Sequence, residues 1–373
     1  MQFRDIPFHA EIKRRLIDMA QSGRVPHALL LEGPEGTAKF ALARAFAQYL
    51  HCEQRGADDS CGKCPSCRQF KAFNHVDTMY SFPVIKAKSG RPTVSDDYRT
   101  EFIKFVGKHP WMDFQEWLKA LGTPNTLPTI YVDEGAELMR RLSYTSHVSK
   151  YKTVLMWLPE RMKEEMANKI LKLVEEPTRD SVFIMTSDAP TEILPTIYSR
   201  VQRIKVPRYT EDEVTQFLRT EGVDSNAAAD AAALSEGNLN MALHYSAENP
   251  ELSKHFERFK SLMRLSYLKD LSGLKKWSED VAGLKREQQL HFLNYCSRLL
   301  RENYIFNLHD DKLLRLTAAE KDFSKNFSPF VNERNVVDLM QIFTDAARDI
   351  TGNANSKIVI FDACLQVFMV LRR

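Results

Sequence analysis

No stretch of 18 or more consecutive apolar residues occurs in the 373-residue chain, so the sequence offers no membrane-spanning helix. It also lacks a large charge of either sign. Against 52 Lys and Arg stand 49 Asp and Glu, a formal net charge of +3, so no whole-molecule basic field argues for tight DNA binding, although a local basic surface stays open. The opening, residues 1–16, has no uninterrupted apolar core and no small-residue cleavage site, which argues against a signal peptide. Cysteine is scarce at six residues, and four of them crowd into Cys52–Cys67. With no export signal, that crowding reads as metal-site spacing rather than a disulfide framework, and the compartment as cytoplasmic.

What is present is a soluble globular composition, 43% hydrophobic and 27% charged, long enough for two or three domains. After a helical pattern through Ile12, Leu16 and Met19 comes the apolar run Ala28-Leu29-Leu30-Leu31. It leads directly into Gly33-Pro34-Glu35-Gly36 and reads as a buried strand entering a tight loop. The Ala- and Leu-rich residues 40–50 then read as a helix. Further strands are expected over 152–157, 181–186 and 201–206, with a helix over 162–176 stopped by Pro177. Strands alternating with helices favour a mostly parallel sheet. From about Thr210 the strand signals vanish. Residues 210–248 read as a small helical bundle and 250–373 as an all-α packing or oligomerisation domain. Residues 78–130, with Tyr80, Phe82, Trp111, Phe114 and Trp117 beside a loop-like run over 86–97, read as an insertion on the first domain. A peptide- or DNA-contacting loop is the other reading there.

Residues 33–40 align with the phosphate-loop pattern G-x-x-x-x-G-K-S/T. In that pattern backbone N–H groups at a helix N-terminus cradle phosphates, the Lys neutralises charge and the hydroxyl holds Mg²⁺. Gly33, Gly36, Thr37 and Lys39 are the candidate cofactor-binding residues. Ala38 stands in place of the last Gly, which distorts the loop if a positive φ is required there. Phe40 stands in place of the hydroxyl. Lys39 is either a residual phosphate contact or a surface lysine, and ATP binding is in doubt. The strand over 152–157 ends in Trp157-Leu158, where acids should hold the metal, and Glu160 lies beyond a proline. Asp133-Glu134 reads as a helix-capping or solvent-facing pair.

Cys52-x8-Cys61-x2-Cys64-x2-Cys67 places four thiolates within 16 residues. The set suits a closed tetrahedral Zn²⁺ site, structural rather than catalytic; an iron–sulfur cluster is the alternative. His51 and His75 lie nearby in sequence, but four cysteines suffice. Cys296 and Cys364 read as core residues.

These features together resemble the delta-prime subunits of bacterial DNA polymerase III clamp loaders. The likeness runs through roughly the first 250 residues: Pro26–Leu30, the loop over 33–43, the four-cysteine module, residues 167–177 (ANKILKLVEEP) and residues 194–200 (LPTIYSR). Nearer the C-terminus only residues 353–357 (NANSK) look like the family. The resemblance implies an α/β AAA+ P-loop domain with a parallel sheet and zinc module, then a small helical lid and an all-α collar. That places the AAA+ domain at 1–207 (zinc module 52–67, insertion about 78–130), the lid at 208–248 and the collar at 249–373. It implies a non-hydrolysing stator of the loader, working with gamma/tau ATPase subunits and a delta subunit to place the β sliding clamp on primed DNA. It further implies that Arg200, with Ser199, is an arginine finger offered in trans to a neighbour's ATP. The motif's Cys is Val201 here. Thr186 and Ser187 read as remnants of a γ-phosphate sensor, and the lid's arginine position is Asn240. Two other readings compete: an active gamma/tau-like AAA+ ATPase, opposed by Phe40, Trp157 and Asn240, and a zinc-dependent DNA-binding protein, opposed by the near-neutral charge.

Overall fold

The structure, a computed structural model, describes residues 1–371 apart from 87–90, 123–125, 147, 179, 248–249, 310–312 and 353. The middle of the loop over 86–97, the 248/249 boundary and Asn353 therefore lie outside the described residues. The chain divides into two compact units, Met1–Phe217 with Gly237–Asn240, and Leu218–Glu236 with Met241–Arg373.

The first unit opens with α1 (Ala10–Gln21), β1 (Ala28–Glu32) and α2 (Lys39–His51), then α3 (Pro65–Lys71) and β2 (Thr78–Ser81). Next come α4 (Arg99–Lys108), α5 (Phe114–Ala120), α6 (Val132–Ser143), β3 (Lys152–Trp157) and α7 (Glu164–Glu175). It closes with β4 (Ser181–Ser187), α8 (Pro195–Tyr198) and β5 (Gln202–Lys205). Local chemistry sets several of these ends. Asp113 caps α5 by accepting from the Gln115 and Glu116 amides. Glu164 and Glu165 occupy the first turn of α7, where the helix dipole favours acids, and Pro177 follows its end.

The five strands form one sheet in the order β2-β3-β4-β1-β5, every pairing parallel. Parallel strands buried on both faces read as near-continuous apolar runs, and the fully buried β1, β3 and β4 are apolar through their centres with polar residues at their ends. Side chains alternate across the sheet. Ala28, Leu30, Val154, Met156, Phe183 and Met185 join one core with Leu138 and Leu142 of α6 and Ile170 and Val174 of α7. The opposite face packs on α2.

Four strands were legible in the sequence and the fifth, β2, was not. The segment 78–130 therefore begins with a sheet strand before continuing as α4 and α5. The strand over 201–206 shortens to Gln202–Lys205 and is exposed apart from Ile204, as suits a sheet edge.

α9 (Glu211–Thr220) and α11 (Leu239–Ser246) each contribute to both units; α10 (Ser225–Ser235) belongs to the second. The second unit continues with α12 (Pro250–Leu268), α13 (Leu271–Ala282), α14 (Arg286–Phe306), α15 (Ala318–Phe327), α16 (Val336–Thr351) and α17 (Ser356–Val370). Phe259, Phe292, Leu299, Leu339, Phe343 and Val367 form its core together with Cys296 and Cys364. The two isolated cysteines are core residues, as their helical, apolar surroundings implied. Among the described residues no helix is long and apolar enough to cross a membrane.

Candidate functional site

β1 sits between β4 and β5, and the loop that follows it opens at the carboxyl edge of the sheet, where α/β folds place ligands. The positive φ of this loop falls on Gly36, at +74°, and not on Ala38, whose φ is −76°. Ala38 therefore brings no backbone strain of the kind its replacement of Gly raised. A Cβ at Gly36 would also stand 1.8 Å from Asn238 Oδ1, so the Asn238 side chain would have to shift.

Lys39 is not a surface lysine. It is 4% exposed, and its ammonium donates to Pro34 O, to Thr37 Oγ1 at 3.0 Å, and to Asp188 Oδ1 at 2.9 Å. The charge that would meet a phosphate is satisfied by the loop and by the residue just after β4. Glu160, which lies beyond a proline, also reaches this edge: its Oε1 accepts from the Asp188 and Ala189 amides at 2.9 and 3.0 Å. It thereby fixes the backbone that carries Asp188.

Segment Gly237–Asn240 completes the closure. The Leu239 amide donates to Gly36 O at 3.0 Å, and Asn240 donates through Nδ2 to Met112 O at 2.9 Å. Tyr209 packs against His9 with the rings tilted and their centroids 4.5 Å apart. Burial pushes the His9 imidazole down to about 4, keeping it neutral at pH 7.

Around Phe40 and Trp157 the chain has aromatic packing. Phe40 is buried and meets Phe102 edge-on at 5.8 Å; Phe102 stacks on Phe82 at 3.7 Å. Trp157 lies against Phe102, Phe105, Phe114 and Trp117 with centroids 5.7–6.5 Å apart. Trp117 also donates its indole N–H to Pro83 O at 2.8 Å, so its polar edge is satisfied. The aromatic residues of 78–130, whose role the sequence left open, thus pack on Phe40 and Trp157. Leu158, after β3, is buried at φ +59°, a left-handed conformation unusual for a bulky side chain. Thr186 and Ser187 are buried at the end of β4; Thr186 Oγ1 contacts Met156 O at 3.5 Å.

Asp133 and Glu134 lie in the first turn of α6, but Glu134 does not face solvent. It is 4% exposed and accepts from the Ser95 amide at 2.7 Å, while Asp133 accepts from the Thr93 amide at 3.0 Å. Burial raises the Glu134 carboxyl to about 7, against the opposing hydrogen bonds from Ser95 and Ser81. The pair pins the segment before α4 to α6.

The four cysteines of the predicted module converge. Their sulfurs all lie within 4.8 Å of one another, and tetrahedral Zn²⁺ with bonds of about 2.3 Å needs sulfurs about 3.8 Å apart. The sulfurs already accept backbone N–H groups, Cys61 to Cys52 Sγ at 3.2 Å, Cys64 to Cys61 Sγ at 3.3 Å and Cys67 to Cys64 Sγ at 3.4 Å. Such donors suit thiolates that hold a cation. Cys64 doubles as the N-cap of α3, with Pro65 at its first position. His51 is not part of the cluster: its ring nitrogens meet Ser149 Oγ and Thr153 Oγ1. The donor set and its spacing are compatible with a structural zinc.

Ser199 and Arg200 follow α8. Arg200 is exposed, its Nε 2.9 Å from Glu175 Oε1 and its Nη1 2.9 Å from Thr196 O. It lies outside the closed loop's network.

A parallel sheet whose first strand runs through a glycine-bearing loop into a helix N-terminus defines a P-loop-type α/β domain, here with its lysine paired internally. The chain belongs to the DNA polymerase III, delta subunit family, whose model matches residues 8–210. It is similar to the DNA polymerase III subunit delta′ of Yersinia pestis, 28% identical over 191 residues, covering 50% of this chain and 43% of that protein. The delta′ subunit of Pseudomonas aeruginosa is 29% identical over 174 residues, covering 47% and 41%. The gamma/tau subunit of Mycobacterium tuberculosis is 26% identical over 206 residues, covering 54% and 28%. The matched stretch thus spans less than half the length of these relatives.

Proposed function

We propose that this chain is a non-hydrolysing delta-prime subunit of a cytoplasmic clamp loader, helping to place the β sliding clamp on primed DNA during replication. In this reading it holds no productive ATP of its own and offers Arg200 to ATP bound by a neighbouring gamma/tau subunit. A guanidinium supplied in trans stabilises charge developing on a transferring γ-phosphate. Ser199 helps orient the arginine, its Oγ lying 3.5 Å from Nη1.

The observation that carries the reading is a contrast within one domain. The residues that would act on the chain's own nucleotide are buried and paired to each other, Lys39 with Asp188 and Phe40 against Phe102, while Arg200 is held at the surface. Family membership and the names of the delta′ relatives supply the assembly. Gly33, Gly36, Thr37 and Lys39 are then a relic loop serving structure.

Residues 52–67 bind one Zn²⁺ through Cys52, Cys61, Cys64 and Cys67, which as a closed site supplies cross-linking and no open coordination position. Residues 208–248 act as the lid and 249–373 as the collar that joins delta and gamma/tau subunits. Exposed Val337, Ile358 and Met369 on α16 and α17 support a role in association.

The test is to titrate the purified chain into gamma/tau and delta subunits with clamp and primed DNA. The chain alone should show no ATP turnover, and its addition should raise that of the mixture. Turnover by the chain alone, abolished by Lys39→Ala, would instead identify an active ATPase.

A further inference from the structure

Glu175 is the last residue of α7, at the end of the helix where the dipole disfavours a carboxylate, and Glu176 caps the same end. α8 packs on α7, which brings Arg200 across to set its Nε 2.9 Å from Glu175 Oε1. The same guanidinium donates Nη1 to Thr196 O, so its direction is fixed by backbone and its charge by Glu175. Arg200 and Glu175 are 44% and 41% exposed in their side chains. A pair this open to water is held weakly and exchanges readily.

From this geometry, and resting on the reading of Arg200 as a finger, we infer that Glu175 is a positioning residue that competes in cis for Arg200. It keeps the guanidinium aligned in the unassembled chain and must yield it when a neighbour's γ-phosphate arrives. A phosphate offers Arg200 bidentate, charge-assisted hydrogen bonds in a less hydrated interface, which outweigh one exposed carboxylate. The released Glu175 then stands as a like charge near the phosphate. Glu175 therefore raises the ATP concentration at which the finger engages.

The experiment uses the full assembly with clamp and primed DNA, and measures turnover against ATP concentration for Glu175→Gln, Glu176→Gln, Arg200→Ala and the double variant Glu175→Gln/Arg200→Ala. Glu175→Gln should lower the half-saturating ATP concentration about threefold, within the range of an exposed ion pair. Glu176→Gln should leave it unchanged, which separates the pair from net charge. The Glu175→Gln effect should shrink at high salt and vanish in the Arg200→Ala background. If Arg200→Ala abolishes the stimulation while Glu175→Gln leaves the half-saturating concentration unchanged or raises it, the competition is wrong and the finger stands. If Arg200→Ala changes nothing in an intact assembly, the finger reading fails and this one with it.

Discussion

Lys39 Nζ lies 2.9 Å from Asp188 Oδ1, so the lysine that would neutralise a bound phosphate is already neutralised by the chain. Lys39 is nearly inaccessible while the Asp188 side chain is 25% exposed. Removing the carboxylate therefore strands a buried cation that water only partly relieves. Asp188→Asn should destabilise the protein by about 1–3 kcal/mol, below the usual loss for a fully buried pair. Urea unfolding measures this directly, and an unchanged midpoint would mean the pair contributes nothing. The same closure predicts that ATP at about 1 mM leaves the thermal midpoint of the isolated chain unmoved, since a ligand stabilises only what it binds.

Restoring the missing hydroxyl should not restore chemistry. Phe40→Ser removes a buried ring from the contact with Phe102 and leaves Trp157 where a metal-holding acid would be. The expected result is a loss of about 3–5 kcal/mol, as for other buried aromatic truncations, with no gain of ATP turnover. Turnover appearing in this variant would show that the aromatic packing is incidental.

The four-cysteine cluster should hold one zinc per chain, counted by elemental analysis or native mass. Cys64→Ser should lose the metal while keeping the cap on α3, because a Ser hydroxyl accepts the Cys67 amide in place of the sulfur. The thermal midpoint should fall by several degrees, roughly 2–4 °C for each kcal/mol lost. Visible absorbance characteristic of iron–sulfur clusters in anaerobically purified protein would assign the other metal.

Glu134 gives the fold a pH dependence with a definite sign. Its folded pKa of about 7 lies above the ordinary 4.5 because the carboxyl is buried. The folded chain then binds this proton more tightly than the unfolded chain, so stability falls as pH rises from 4.5 through 7. Relative to Glu134→Gln, which keeps an acceptor for the Ser95 amide, the native chain should lose about 3 kcal/mol by about pH 8. Parallel pH profiles for the two proteins would contradict this.

Much of this architecture was legible in the sequence because strong local signals coincided with it. The run Ala28–Leu31, the helix former-rich stretch after Lys39 and the stop at Pro177 each specify their element without help from distant residues. The expectations at Phe40 and Trp157 came from a spaced pattern that says which chemistry belongs at each position, and the one at Asn240 from the family resemblance. β2 escaped because four residues, Thr78–Ser81, give too short a period to distinguish from a loop. The burial of Lys39 and Glu134 escaped for another reason. Each depends on a partner far along the chain, Asp188 and Ser95, and nothing local in either stretch announces that meeting. The aromatic residues of 78–130 were equally opaque until Trp157 and Phe40 were seen to be their counterparts.

The central claim is that this chain acts on a neighbour's nucleotide through Arg200. It is tested most directly by single-turnover ATP hydrolysis in the reconstituted assembly, comparing the native chain with Arg200→Ala and checking by native mass that both assemblies are complete. An arginine finger is worth about 1,000-fold or more at the site it serves, so the account predicts that one class of sites falls nearly silent. An unchanged rate in a complete assembly would contradict it and leave the chain a scaffold.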